Sequence, residues 1–214
     1  PIIYKLMNLL SQTTKMPCKS ISLSAKLCNT GSKLAKIPGT VCSECYALRG
    51  FYNMPTVKKS MDNRLSFMSG NDFVSTMITL LRNEKHFRWF DSGDIQNEIM
   101  GHRIIDVVEQ TQWCEHWIPT KEYKWWRNIL STRILPHNAC LRISTPMDNT
   151  KPIPNWNQTS TTFTSKDSPA YTGVECKAHL NKEYKCEECR ACWDNNITNI
   201  AYPKRSKKRK SNGK

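Results

Sequence analysis

The sequence predicts an α/β fold whose parallel sheet forms a partial or open (β/α) barrel, followed by a cysteine-rich segment and a basic tail. Short apolar strand patterns alternate with amphipathic helix patterns between Lys19 and Thr164. That alternation is typical of parallel sheets with right-handed crossovers. The 214 residues also fall short of the roughly 250 that a closed eightfold barrel usually needs. A partial or open arrangement is therefore expected.

The individual elements follow from apolar periodicity and capping residues. Strands are expected at 19–24, 87–90, 117–118, 140–143 and 161–164, and helices at about 56–67, 72–83, 99–110 and 121–130. Asn71 or Asp72 is expected to cap the second helix. A long loop that contains Gly and Lys connects the first strand to the first helix. The length suits a single domain over residues 1–202, which includes the cysteine-rich segment at 174–194.

The chain is strongly basic, with a formal net charge of +14. Residues 203–214 contain many lysines and arginines and no acid, so we expect a disordered basic tail. Such a tail is suited to sequence-independent contact with nucleic acid phosphates, together with the basic surface of the domain, although it can also simply aid solubility. No apolar stretch approaches the roughly 20 residues of a membrane span, so no membrane partner is expected. No feature of the sequence specifies an oligomeric state.

The most informative motif is a run of three cysteines at three-residue spacing near the end of the chain. Cys186, Cys189 and Cys192 form this run, and Cys176 precedes it by ten residues. In Cys-x-x-Cys-x-x-Cys runs of this kind, the thiolates wrap an iron–sulfur cluster. The four thiols are therefore predicted to hold a [4Fe–4S] cluster, and Arg190 and nearby lysines would offset its negative charge.

Two alternatives compete with the cluster. Four cysteines can also form a closed tetrahedral zinc site, and His179 is near enough in sequence to replace one of them. Ten cysteines could instead form disulfides. However, we find no secretory signal, and an intracellular chain keeps its thiols reduced. Disulfides are therefore disfavoured, whereas zinc stays open as the alternative metal.

A second group of cysteines follows the first predicted strand. It consists of Cys28, Cys42 and Cys45. Radical S-adenosylmethionine enzymes place three cysteines at this point and leave one iron open to the cofactor, but their usual Cys-x-x-x-Cys-x-x-Cys spacing is absent here. These thiols could instead bind a second metal, complete the late cluster or pack in the core. The remaining cysteines are isolated: Cys18 could be a spare ligand, while Cys114 and Cys140 are expected in the core.

Polar side chains follow each predicted strand, at the edge where α/β proteins place their sites. Asp91 and Asp94 flank Ser92 and Gly93, in the region where radical enzymes hold the methionine amine of their cofactor. We predict that Asp91 or Asp94 holds an amine or acts as a base. Lys121 and Glu122 would bind a charged substrate. Many such residues are also ordinary helix caps. The remaining polar groups of the predicted cleft are Thr120, Ser144 and Thr145.

Six separate segments resemble the phage-encoded gene product 88 family, and they occur in the order found in that family. The segments are Lys15–Ile21, Gly31–Lys36, Pro38–Gly50, Phe87–Ile95, Trp117–Glu122 and Cys186–Trp193. The resemblance extends from about residue 15 to residue 202. It implies a viral protein that acts in the cytoplasm of a bacterial host, and it implies no particular activity.

Three functional hypotheses follow from these observations. The first is an iron–sulfur enzyme with redox or radical chemistry at the carboxyl ends of the strands. The second is a non-catalytic protein in which iron–sulfur or zinc staples the fold and the cationic surface binds nucleic acid. The third is an electron carrier or redox sensor.

Overall fold

The computed structural model describes residues 9–180 and 183–204, and these form an α/β fold built on one eight-stranded sheet. Its strands, in chain order, are β1 (Ser11–Gln12), β2 (Lys19–Ile21), β3 (His86–Trp89), β4 (Glu115–Thr120), β5 (Ala139–Ser144), β6 (Thr159–Phe163), β7 (Val174–Glu175) and β8 (Asn199–Pro203). The spatial order is β1-β2-β3-β4-β5-β6-β8-β7. All neighbouring pairs are parallel except β1 and β2.

The sheet is open, because β1 and β7 lie at opposite edges. The prediction of an α/β fold with an open parallel sheet is therefore confirmed, and the sheet does not close into a barrel. All five predicted strands are present with shifted ends. The predicted list lacked β1, β7 and β8, which are too short or too polar to give a clear apolar pattern.

Five helices connect or flank these strands. They are α1 (Asn29–Leu34), α2 (Pro55–Ser69), α3 (Phe73–Leu81), α4 (Glu98–Glu109) and α5 (Tyr123–Thr132). Pro55 occupies the first turn of α2, where its missing N–H is not needed, and the Asn97 side chain accepts a hydrogen bond from the Met100 N–H at the start of α4. Asp72 is the N-cap residue of α3, as predicted, but its side chain makes no capping hydrogen bond.

One face of the sheet packs on the helices. Alternate strand residues point to this face, and they include Phe87, Trp89, Ile118, Leu141 and Ile143. The apolar residues of α3, α4 and α5 complete the same core. Cys114 is fully buried, as predicted for a core cysteine.

The opposite face of the sheet is covered by the cysteine-rich segment. Trp193 packs with Met16, Cys18 and Trp117, and its indole N–H donates to the carbonyl of Phe87 at 2.9 Å. Cys140, on β5, is also fully buried and faces the same segment through the Asp194 carbonyl. The segment is therefore packed on the sheet as part of the domain.

Three further features concern the predicted loop, the tail and membranes. The loop between β2 and α2 contains α1 and four short 3₁₀ turns, which the sequence pattern missed. Pro203 ends β8, and Lys204 pairs with Asp148 at 2.5 Å, so these two residues join the domain, while residues 205–214 of the predicted tail lie outside the described residues. Within the described ranges, no helix has the length and apolar character to cross a membrane.

Candidate functional site

The carboxyl ends of β2, β3 and β4 bring the predicted polar residues together. The chain leaves β3 through Phe90 and Gly93, both with positive φ (54° and 86°). A Cβ on Gly93 would lie 2.6 Å from the Cβ of Leu23. The Ser92 hydroxyl donates to the Leu23 carbonyl at 2.8 Å, and the Leu23 N–H donates to the Ser92 carbonyl at 2.8 Å. Ser92 and Gly93, predicted to bind a cofactor, therefore clamp the β3 turn onto the end of β2.

Asp91 is buried beneath this turn. The hydroxyls of Ser20 and Ser22 each donate to its Oδ1 at 2.8 Å, and the Tyr52 hydroxyl donates to its Oδ2 at 3.3 Å. The Tyr46 hydroxyl also donates to the backbone carbonyl of Asp91. Both carboxylate oxygens are therefore occupied by protein donors, which favours a positioning role.

Asp94 connects β3 to β4. Its Oδ1 accepts from the Ile95 N–H at 2.9 Å and the Thr120 hydroxyl at 2.7 Å, and its Oδ2 accepts from the Lys121 N–H at 2.8 Å. Burial raises the pKa of Asp94 to about 7, although these hydrogen bonds act in the opposite direction. A carboxyl that changes charge near neutral pH is suited to proton transfer, so this residue retains the chemistry predicted for it.

Glu122 holds the start of α1. Its Oε1 accepts from the Thr30 N–H at 2.7 Å, and its Oε2 accepts from the Thr30 hydroxyl at 2.7 Å. Because Thr30 is two residues from Cys28, this carboxylate fixes the loop that carries the early cysteines. Lys121, by contrast, is half-buried, and its charge lowers the pKa of Cys42 against the larger effect of burial. The positive charge of Lys121, a predicted substrate-binding residue, therefore acts on the early thiols.

Cys28, Cys42 and Cys45 form the early thiol group. The three side chains are half-buried and within electrostatic range of one another. A Cβ on Gly31 would lie 3.6 Å from the sulfur of Cys28 and 3.6 Å from that of Cys42. It would also lie 3.0 Å from the Cβ of Cys28, so glycine allows α1 to pack closely against these two cysteines. Burial raises the pKa of both Cys28 and Cys42.

Cys176, Cys186, Cys189 and Cys192 form the late thiol group. Burial, together with the other three thiols, raises the pKa of Cys176 to about 12. Burial also raises the pKa of Cys192 to about 11, and its sulfur lies 3.5 Å from the Tyr202 hydroxyl. Cys189 is exposed and the others are half-buried. The fold thus brings together the four cysteines that the sequence pattern grouped.

Arg142 joins the late group to the sheet. It lies in β5 and is fully buried, and its guanidinium donates to five backbone carbonyls at 2.8–3.4 Å. The acceptors are Thr159, Ala191, Cys192, Asp194 and Ile197. Sequence reasoning missed this residue, although an arginine in the middle of an apolar strand was a usable signal.

Arg88 places a second cation, which is half-buried, on the same face of the sheet. Its guanidinium lies 4.4 Å from the centre of the Trp117 ring. Its charge lowers the pKa of Cys186 and of Cys192, against the larger effect of burial. It also interacts with Tyr46 and Asp91 near the early group. Arg88 therefore lies between the two thiol groups.

All ten cysteines are free thiols. Among the described residues, no set of three or more His, Cys, Asp or Glu side chains is arranged to hold a single metal ion. A cubane cluster makes a different demand, because each thiolate binds a different iron, whereas zinc draws four ligands to one centre.

Comparison with known proteins identifies one related family. No curated protein and no solved structure matches the chain. The family model described as Gene product 88 matches residues 4–195. This range includes β1 to β7, both thiol groups and the polar residues at the strand ends. The chain therefore belongs to the gene product 88 family.

Proposed function

We propose that this protein binds a [4Fe–4S] cluster through Cys176, Cys186, Cys189 and Cys192. The observation that carries the proposal is the meeting of four free thiols at one place on the sheet. Thiolates are the ligands of such clusters. The Cys-x-x-Cys-x-x-Cys run of Cys186, Cys189 and Cys192 favours a cluster over zinc, the alternative metal, because each thiolate of a cluster binds a different iron.

The electrostatic setting supports the same assignment. Arg142 fixes the backbone around Cys192, and Arg88 directs its positive charge at Cys186 and Cys192. A cluster held by four thiolates is an anion, so the guanidinium groups of Arg142 and Arg88 beside it would stabilise the loaded form. Burial raises the pKa of Cys176, Cys186 and Cys192, so binding must displace protons, and affinity should therefore fall as the pH is lowered.

The proposed chemistry is redox or radical chemistry at the carboxyl ends of the strands. A bound cluster supplies one-electron transfer. Asp94 could accept or donate a proton there, and Lys121 could bind an anionic substrate group. Cys28, Cys42 and Cys45 could hold a second metal centre next to Gly31. Three cysteine ligands would leave one iron of such a centre without a protein ligand, and that iron could bind an exchangeable partner such as S-adenosylmethionine. By the family resemblance, this activity would take place in the cytoplasm of an infected bacterial host.

Anaerobic metal analysis tests the cluster directly. We expect brown protein with about four irons and four sulfides per chain in the late group, together with any iron that the early group holds. Cys189→Ser should lose the iron of the late group, whereas Cys114→Ala, a core cysteine away from both groups, should keep it. Colourless protein with stoichiometric zinc, or equal iron in both variants, would overturn the assignment.

Cys42→Ser tests the second centre, because it should remove only the iron held by the early group. Cleavage of S-adenosylmethionine by the reduced protein, lost in Cys42→Ser, would establish the radical reaction.

A second candidate function is nucleic-acid binding with the metal as a structural staple. The net charge of +14 favours it, because phosphate backbones attract such a surface. The test is binding to DNA of random sequence at increasing salt. A steep loss of affinity, and a further loss when residues 205–214 are deleted, would support the sequence-independent contact. Binding that does not respond to salt would exclude it.

A further inference from the structure

The segment from residue 26 to residue 59, which we name the basic lobe, concentrates exposed positive charge. It contains α1, three of the 3₁₀ turns, the beginning of α2 and the early thiol group. Its only acid is Glu44, which is paired with Lys204 at 3.5 Å. Its exposed cations are Lys26, Lys33, Lys36, Arg49, Lys58 and Lys59. The lobe therefore presents positive charge that its own carboxylate does not offset.

The same lobe exposes large apolar side chains. Phe51 is 81% exposed, and it follows Gly50, whose φ of +58° turns the chain outward into open space. Tyr46 is 58% exposed, yet its hydroxyl is anchored on the Asp91 carbonyl and its ring meets the Tyr52 ring at 5.7 Å. Two aromatic rings are thus held out to solvent, one of them in a fixed orientation.

Folding does not account for this arrangement. Lys58 and Lys59 lie close to the N-terminus of α2, whose first turn contains no acid and whose N-cap residue Met54 makes no side-chain hydrogen bond. The helix dipole disfavours cations at that end. Exposing an aromatic ring likewise gives up the stabilisation that burial would provide. These residues cost stability where they stand, which points to a binding role.

We propose that the basic lobe binds single-stranded nucleic acid. The cations would contact phosphates, while bases would stack on Phe51 and Tyr46. A duplex keeps its bases stacked on one another, so its phosphates could contact the cations but its bases could not stack on the two rings. An acidic protein would also match the charge but offers few planar groups for two exposed rings. This inference rests on the second function proposed above. It places the bound nucleic acid over the early thiols and Lys121.

Fluorescence anisotropy with labelled single-stranded oligonucleotides and a duplex of the same sequence tests the lobe. In the full-length chain, Phe51→Ala should weaken single-strand binding about fivefold or more and duplex binding much less. Lys58→Gln with Lys59→Gln should lower the salt slope by about 1.4, since each single-strand phosphate contact contributes roughly 0.7. These glutamines should not reduce the melting temperature, because they remove cations from a helix N-terminus.

Matched controls lie elsewhere on the surface. Ile134→Ala removes an apolar side chain that is 89% exposed, and Lys124→Gln with Arg127→Gln removes two exposed cations of α5. Both controls should bind nearly as the native protein does. If lobe and control variants weaken binding equally, or if the duplex is as sensitive to Phe51→Ala as the single strand, the lobe inference is wrong. If the native chain binds no nucleic acid at all, the second proposed function fails with it.

Discussion

Replacing Arg142 with lysine is expected to loosen the cysteine-rich segment from the sheet. Arg142 donates to five backbone carbonyls, four of which belong to residues 191–197. Lysine has three donors on a single nitrogen, so at least two of these carbonyls lose their partner. Each unsatisfied buried acceptor costs about 1–3 kcal/mol, which gives a destabilisation of roughly 2–6 kcal/mol. This is a large part of the roughly 5–15 kcal/mol by which proteins of this kind are stable.

The assay is urea unfolding followed by tryptophan fluorescence, since Trp193 of the segment packs against Trp117 of the sheet. Arg133→Lys is the matched control, because Arg133 forms surface ion pairs with Asp106 at 2.9 Å and Glu109 at 2.8 Å. Such pairs contribute about 0–1 kcal/mol. Arg142→Lys should unfold at clearly lower urea than this control and should hold less iron after anaerobic purification. An Arg142→Lys midpoint equal to that of the native protein would refute the reasoning.

Three further predictions concern the carboxyl ends of the strands. Gly93→Ala should destabilise the fold by several kcal/mol in thermal unfolding, because the new Cβ would clash with Leu23 at 2.6 Å and the positive φ strains any other residue; a small loss of melting temperature would contradict this. Asp94 has a pKa raised from 3.8 to about 7, so its contribution to stability is present below pH 4 and is lost as the pH rises to 7, by up to about 4 kcal/mol. Unfolding titrations should therefore show a flatter pH dependence for Asp94→Asn over this range, and identical profiles would exclude the shift. Gly31→Val should lower metal binding by the early thiols, because its Cβ would lie 3.0 Å from the Cβ of Cys28 and 3.6 Å from the sulfurs of Cys28 and Cys42; iron analysis in a Cys189→Ser background, which lacks the late cluster, measures this, and unchanged iron would contradict it.

The sequence was a good guide to the parts of the fold that repeat a simple pattern. The helices α2 to α5 were predicted because each has an amphipathic stretch of nine residues or more, and the strands β3 to β6 because their apolar residues are contiguous or alternate. Helix α1 was missed because its six residues include Gly31 and no clear apolar face. The two-residue strands β1 and β7 owe their existence to neighbours that local sequence does not reveal.

The sequence predicted which residues meet in the candidate site better than it predicted the hydrogen bonds that they make. Spacing predicted the late cysteine group, and the alternation of strands and helices brought Asp91, Asp94, Lys121 and Glu122 to one edge of the sheet. Their roles depended on partners distant in sequence. Glu122 is committed to Thr30, 92 residues earlier, and Asp91 is committed to the serines of β2, about 70 residues earlier. No local pattern predicts such pairings, so catalytic and positioning carboxylates could not be told apart.

The charge balance under the late thiols supplies the strongest physical reason to expect an anion there. Arg142 is fully buried against carbonyl dipoles, and within the described residues its hydrogen bonds are to carbonyl oxygens. A buried cation without a counter-ion is costly, and neutral thiols do not offset it. Under the proposed function, the loss of the thiol protons on metal binding would give the four cysteines a negative charge beside this cation. The sheet face that binds the cysteine-rich segment would then match a thiolate cluster better than it matches free thiols, in addition to the structural role that the five carbonyls give Arg142.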